Sequence, residues 1–299
     1  MTTPLKFWKV EAIGNDFPLV RLEDVAEAAF PALAIAMSDR RFGVGGDGLL
    51  AFGLVEEKPT LRMFNPDGTE DFCGNGLRAA TRWAFDQGLI PGEATILHRG
   101  KEVTVRVEGG RIETVLPPAS YAPGEIPMLG PERFDAEIWA GMESGMPLVI
   151  RGSALTTGST HVVLPTGELP ADENFADVSR LIEHDDKFPE RTSVIWSRRE
   201  ADRVLAIRIW ERGVGETLGC GTGSAAAAVD HARRWGLSGE IEVRNPGGAI
   251  RVRLDRWDGP ITIVGEATTV YAGEWIGAEA PSIHPKETLV AESESEFVS

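Results

Sequence analysis

Two stretches decide the reading of this chain: FNPDGTEDFCGNGLRAATRWAFDQG, residues 64–88, and WERGVGETLGCGTGSAAAAVDHARRWG, residues 210–236. Each carries C-G-x-G at the start of an apolar, alanine-rich segment. Each follows a loop rich in glycine and acids. The segments read as helices, and each stops at a glycine, Gly88 or Gly236, where a helix C′ residue belongs.

Working outward, the surroundings match as well. Strand-like runs precede the loops, at Thr60 to Phe64 and at Val204 to Trp210. Hairpins follow the helices. Lys101–Val107 and Arg111–Leu116 join through Gly109-Gly110, and Glu240–Arg244 and Ala249–Leu254 join through Asn245-Pro246-Gly247-Gly248. The chain therefore holds two copies of strand, loop, C-G-x-G, helix and hairpin. The Pro- and Gly-rich stretch Leu116 to Pro131 separates them. Strands outnumber helices. The expected fold is α+β, with two pseudo-symmetric domains, each a curved, mostly antiparallel sheet around one central helix.

The chain has 299 residues, enough for two domains with cores. Its net charge of -16 and pI near 4.8 exclude the basic footprint that nucleic-acid binding needs. Part of that charge lies in an acidic tail, Glu287 to Glu296, expected to be mobile. No apolar run is long enough to span a membrane, and the start, MTTPLKFWKVEAIGNDF, lacks a signal-peptide core and reads as an early strand. The expected location is the cytoplasm. Two cysteines are too few for a disulfide scaffold or an all-cysteine zinc site, and no metal is expected. They leave a single disulfide, two buried thiols or catalytic thiols.

Helix starts leave backbone N–H groups unpaired and carry partial positive charge. A cysteine there has its thiolate favoured; such thiols typically titrate between roughly 3.5 and 7.5, against about 8.5 when free. The sequence thus predicts depressed thiol pKa values. With the copies face to face, Cys73 and Cys220 flank one cleft, and an amino-acid carboxylate fits between the two helix starts. One sulfur takes the proton from Cα and the other returns one from the opposite face, which inverts the centre without a pyridoxal cofactor. The rival reading, a phosphate loop, lacks G-x-x-x-x-G-K-[ST] and a G-x-G-x-x-G with a suitably placed acid. The glycine run Gly43 to Gly48 reads as a turn before a strand.

The segments IGNDF around Asn15, RFGVGGDGLL, RMFNPDGTEDFCGNGLR, GSTHVV, FPERTSV and WERGVGETLGCGTGSAAAA resemble the diaminopimelate epimerase family, in the same order along nearly the whole chain. The resemblance implies an active site between two similar domains, with Cys73 and Cys220 as the acid–base pair. It implies that backbone groups of Gly74-Asn75 and Gly221-Thr222 bind the reacting carboxylate. It implies that Asn15 and Asn65 bind substrate, that Glu211 and Arg212 hold the distal amino and carboxylate groups, and that His161 tunes the cysteines. It implies a final strand, Thr268 to Trp275, returning to the first domain. The halves are then 1–121 with 268–299, and 122–267. It further implies a homodimer with Tyr271 at the contact. The implied activity is interconversion of LL- and meso-diaminopimelate, on the route to lysine and cell-wall peptide.

Two positions depart from the family pattern. Ser159 and Ser193 stand where asparagines usually read the distal end of the substrate, and serine reaches less far. Epimerisation of another amino acid, histidine for instance, therefore stays open. A non-catalytic amino-acid binder is disfavoured by the retention of both cysteines. A lyase or dehydratase needs only one base. Ala79, where many relatives carry a third cysteine, lies beyond the first helical turn.

Overall fold

The computed structural model describes residues 4–143 and 146–277, so the acidic tail lies outside the described residues. The first copy runs β1 (Leu5–Ala12), β2 (Asn15–Arg21), α1 (Phe30–Ser38), β3 (Leu49–Val55), β4 (Lys58–Phe64) and β5 (Glu70–Asp71). It continues through α2 (Gly74–Asp86), β6 (Glu93–His98), β7 (Lys101–Glu108) and β8 (Arg111–Leu116). The second runs β9 (Ala136–Glu143), β10 (Met146–Thr156), β11 (Thr160–Thr166), α3 (Asp172–Glu183), β12 (Ser193–Ala201) and β13 (Val204–Glu211). It ends with β14 (Gly215–Thr217), α4 (Gly221–Trp235), β15 (Gly239–Asn245), β16 (Gly248–Leu254), β17 (Ile261–Glu266) and β18 (Thr268–Trp275).

The pairing repeats strand for strand. In the first copy β1–β2 is antiparallel, β2–β3 parallel, β3–β4 antiparallel and β4–β6 parallel. The β10–β11, β11–β12, β12–β13 and β13–β15 pairs repeat that order. Each parallel pair needs a crossover. In the first copy α1 and α2 lie in these crossovers, and in the second α3 and α4 do. The copies meet where β8 pairs with β17, antiparallel. Each copy gives its next strand to the other half: β9 follows β8 but pairs with β10, and β18 follows β17 but pairs with β1. This is the α+β architecture expected, with two parallel steps inside each mostly antiparallel half.

The two hairpins read from sequence are both present, but they are not mates. Gly109 and Gly110, at φ +55 and +85, close β7 to β8. Pro246-Gly247 closes β15 to β16. The true counterpart of β15–β16 is β6–β7, turned through Arg99 and Gly100 at φ +52 and +74. The counterpart of β7–β8 is β16–β17. The sequence reading lacked β6 and β17, and so was one strand out of step.

Helix α2 is the centre of one core, where Leu77, Ala80, Trp83 and Ala84 pack against Phe17, Leu50, Phe52, Ile96 and Val105. Helix α4 is the centre of another, with Ala225 to Val229 against Val163, Ile195, Ile209, Ile241 and Val252. Its residues are buried in a continuous run from Gly223 to Ala232, as an enclosed helix requires, and alanine lets strands close in on every side. Both helices end as expected. Gly88 and Gly236 adopt φ +69 and +61, and Leu89 and Leu237 donate back to the Ala84 and Ala232 carbonyls at 2.9 and 3.0 Å.

One hairpin tip joins the halves. The β1–β2 turn, Ile13-Gly14, belongs by sequence to the first copy, yet Ile13 packs in the core around α4. A Cβ on Gly247 would stand 2.0 Å from the Ile13 carbonyl oxygen, and one on Gly219 would stand 2.4 Å from Ile13 Cδ1. Ile13 holds φ +48, rare for a β-branched residue, and the packing around it maintains that conformation. The tip delivers Asn15 to the junction.

Candidate active site

Both cysteines are helix N-caps with almost the same backbone. Cys73 has φ -132 and ψ 112, and Cys220 has φ -136 and ψ 118. Each sulfur accepts the N–H of the residue three further on, from Gly76 at 3.2 Å and from Gly223 at 3.3 Å. The second glycine of C-G-x-G is there for space. A Cβ on Gly76 would lie 2.9 Å from Leu50 Cδ2, and one on Gly223 would lie 2.8 Å from Ile195 Cδ1. The first glycine of α2 is different: a Cβ on Gly74 meets nothing within 4 Å, so the backbone there is open to a ligand. Both thiols are free.

Asn75 ties the two helix starts together. Its Nδ2 donates to the Gly219 carbonyl at 2.8 Å and to Asn15 Oδ1, and its Oδ1 accepts from Arg78. Asn15 in turn donates from Nδ2 to Asp47 Oδ2 at 2.9 Å, and Arg40 pairs with that carboxylate at 2.8 Å. The glycine run is therefore more than a turn, because it carries the aspartate that orients Asn15. On the other side Thr222 Oγ1 lies 3.4 Å from Cys220 Sγ. Glu211, at the end of β13, accepts from Thr217 Oγ1 at 2.6 Å and its charge bears on both sulfurs.

A second group adjoins the first. His161 on β11 is opposite Ser193 on β12. The Ser193 hydroxyl accepts the backbone N–H of Arg212 at 3.1 Å, and the Arg212 guanidinium donates to the Glu190 carbonyl at 3.0 Å. His161 is fully enclosed, and among the described residues neither ring nitrogen has a partner. Ser159 is half-buried in the turn between β10 and β11. Asn65 is held within its own turn, donating to Thr69 Oγ1 at 3.1 Å.

The thiols differ from expectation. Burial pushes Cys73 up to about 11 and Cys220 up as well, outweighing the helix N–H groups that pull the other way. Burial also raises the Glu211 carboxyl, and lowers His161 to about 3, so that imidazole is neutral.

Sequence reasoning missed four residues. Asp47 and Arg78 are two. The others are His98 and Asn245, each 25 residues beyond its cysteine, which accept the backbone N–H of Cys73 and Cys220 at 3.0 and 3.4 Å. That equal spacing was visible in the sequence.

By fold, the chain is a duplicated α+β protein. It superposes on a phenazine biosynthesis protein of the PhzF family from Bacillus anthracis with a TM-score of 0.63, at 18% identity over 92% of this chain and 100% of that one. A hydroxyproline epimerase from Agrobacterium vitis gives 0.62, at 15% identity over 91% of each. Sequence is more specific. Residues 153–270 match the family model described as diaminopimelate epimerase. The diaminopimelate epimerase of Moorella thermoacetica is 32% identical over 91% of this chain and 99% of its own, and that of Desulforudis audaxviator is 34% identical over 92% and 100%. The chain belongs to the diaminopimelate epimerase family.

Proposed function

We propose that the protein interconverts LL- and meso-diaminopimelate, with Cys73 and Cys220 as the acid–base pair on opposite faces of Cα. The observation that carries this is the pair of cysteine caps, built alike and joined across the junction by the Asn75–Gly219 hydrogen bond. One cysteine, as thiolate, removes the Cα proton; the other, as thiol, protonates the opposite face. The reacting carboxylate lies on the N–H groups of Gly74-Asn75 and Gly221-Thr222, where charge develops in the carbanion. Asn15, held by Asp47, and Asn65 contact the substrate. Glu211 and Arg212 take the distal amino and carboxylate groups, one partner for each charge. Ser159 and Ser193 act through water, and neutral His161 tunes the cysteines.

Diaminopimelate fits this site better than histidine, which lacks a second carboxylate for Arg212. The relatives compared are named for diaminopimelate as well. Chiral chromatography of LL-diaminopimelate incubated with purified protein tests the reading; a meso product supports it, and unchanged substrate refutes it.

The working halves divide near residue 121 and again near 268. The protein acts as a cytoplasmic homodimer, meeting its partner along β18, where Val270 and Tyr271 are exposed. Among the described residues no helix is long and apolar enough to cross a membrane.

A further inference from the structure

Arg78 is buried between the two helix starts, and among the described residues it has no acidic partner. It lies on α2 five residues beyond Cys73, and only 1% of it is exposed. Its Nη2 donates to Asn75 Oδ1, and its Nη1 donates to the Gly74 carbonyl at 3.5 Å. The guanidinium also reaches the other half. A Cβ on Gly221 would stand 2.8 Å from Nη1, and one on Gly265, in β17, would stand 2.9 Å from Nε. Among the described residues Nε has no hydrogen-bond partner. The groups that favour its charged form are Cys73 and Cys220, and among the described residues no carboxylate pairs with it.

A cation in this place runs against simple electrostatics. Both helix starts already carry partial positive charge, and a buried charge without a partner is costly. Arginine nevertheless keeps its charge when buried. Such an arrangement is stable when an anion shares the site, and the anions this site can supply are a thiolate and a bound carboxylate. The second copy has Ala225 at the matching position, five residues beyond Cys220. One cation therefore serves two sulfurs.

We propose that Arg78 is a positioning residue for the cysteine pair: its guanidinium is the counter-cation of the sulfur that becomes thiolate, and through Asn75 it fixes one helix start against the other. This rests on the reading of Cys73 and Cys220 as the acid–base pair. The other charged groups facing the sulfurs do not substitute for it. Glu211, from the end of β13, opposes ionisation of both. Asp47 acts on Glu211, and Arg212 acts on the neutral His161. Among the described residues Arg78 is the cation that favours the Cys73 thiolate against burial.

The test is alkylation by iodoacetamide against pH, resolved by mass spectrometry at each cysteine, in the full-length protein and in Arg78→Met, Arg78→Gln and Arg78→Lys. The pH profile of kcat/KM for LL-diaminopimelate is measured alongside. In the neutral variants the Cys73 midpoint should rise by about one pH unit or more, a roughly tenfold slower alkylation below it. The rising limb of kcat/KM should move with it. Arg78→Lys should stay within about half a unit of wild type. Equal midpoints in wild type and a folded neutral variant overturn the proposal. Where neither neutral variant folds by circular dichroism, Arg78→Lys decides alone, and a rise of about a unit or more there overturns it. Failure of the underlying reading looks different: Cys73→Ser or Cys220→Ser would retain turnover, whatever the midpoints.

Discussion

The backbone N–H of Cys73 donates to His98 Nε2 at 3.0 Å, and His98 Nδ1 lies 3.1 Å from the Leu61 carbonyl oxygen. These two bonds assign the tautomer: Nδ1 carries the proton, donated to Leu61, and Nε2 offers its lone pair to the cysteine. In the other half Asn245 Oδ1 accepts the Cys220 N–H at 3.4 Å and the Ser224 hydroxyl at 3.1 Å. The same need, an acceptor behind the cap, is met by an imidazole on one side and an amide on the other.

His98→Asn should therefore keep most activity, because an amide already does this work in the second half. His98→Leu leaves the Cys73 N–H unpaired in a buried place, which typically costs about 1–3 kcal/mol. It should lower kcat more than His98→Asn does. Steady-state kinetics and urea unfolding of both variants check this; equal losses in the two would remove His98 from the cap.

The buried histidines also set an acid limit. Burial holds His98 down at about 4 and His161 at about 3, against an unfolded value near 6.5. Between these values the unfolded chain binds protons that the folded one does not, so stability falls as pH drops from about 6.5 toward 4. Above that window the contribution is fully present. Glu211 and Asp230, whose carboxyls burial raises, work in the opposite sense. The comparison of wild type with His98→Asn isolates the histidine. Urea midpoints at pH 7 and pH 5 should differ less in the variant, and an unchanged difference would show that His98 is not the group titrating.

The two glycines of the first motif should behave differently. Gly76→Ala puts a methyl 2.9 Å from Leu50 Cδ2, so the Leu50 side chain must shift beneath the cap and kcat should fall. Overpacking of this kind costs roughly 1–3 kcal/mol of stability. Among the described residues the methyl of Gly74→Ala meets nothing within 4 Å beyond its own turn of helix, so the fold should stand. Its methyl enters the space assigned to the carboxylate, so KM should rise. A Gly74→Ala enzyme with unchanged KM would move the carboxylate elsewhere.

Much of this was legible in the sequence because glycine and cysteine mark positions where backbone geometry is constrained. The C-G-x-G caps and the helix stops at Gly88 and Gly236 were read correctly from such marks. The hairpin error has the same origin. Gly109-Gly110 and Asn245-Pro246-Gly247-Gly248 are strong turn signals, whereas Arg99-Gly100 is weak and β16–β17 turns through the longer 255–260 segment. The stronger turn signals of the two copies lie on different hairpins, β7–β8 in one and β15–β16 in the other. Arg78 was unreadable for another reason. An arginine on a helix implies a solvated face, and only the packing shows it enclosed between both halves. The thiol pKa values were misjudged because a helix start is visible in sequence and the depth of its burial is not.

Arg212 is the clearest handle on substrate identity. Its backbone is anchored by Ser193, and among the described residues its guanidinium reaches only the Glu190 carbonyl, so its charge is available to a ligand. Arg212→Ala should weaken diaminopimelate turnover by about 2–5 kcal/mol in kcat/KM, the usual cost of breaking a desolvated charge pair. Ser159→Asn should be neutral or improve turnover. An Arg212→Ala enzyme as active as wild type would show that the distal carboxylate binds elsewhere.

The two-sulfur mechanism is tested most directly by incubating LL-diaminopimelate in heavy water with wild type, Cys73→Ser and Cys220→Ser, and following deuterium at Cα together with configuration. Wild type should incorporate deuterium as it forms the meso isomer. Each variant should lose inversion almost completely while remaining folded, and one of them can still exchange Cα–H with retention through the remaining sulfur. Inversion at the wild-type rate by either variant would contradict the mechanism, because a single sulfur would then suffice.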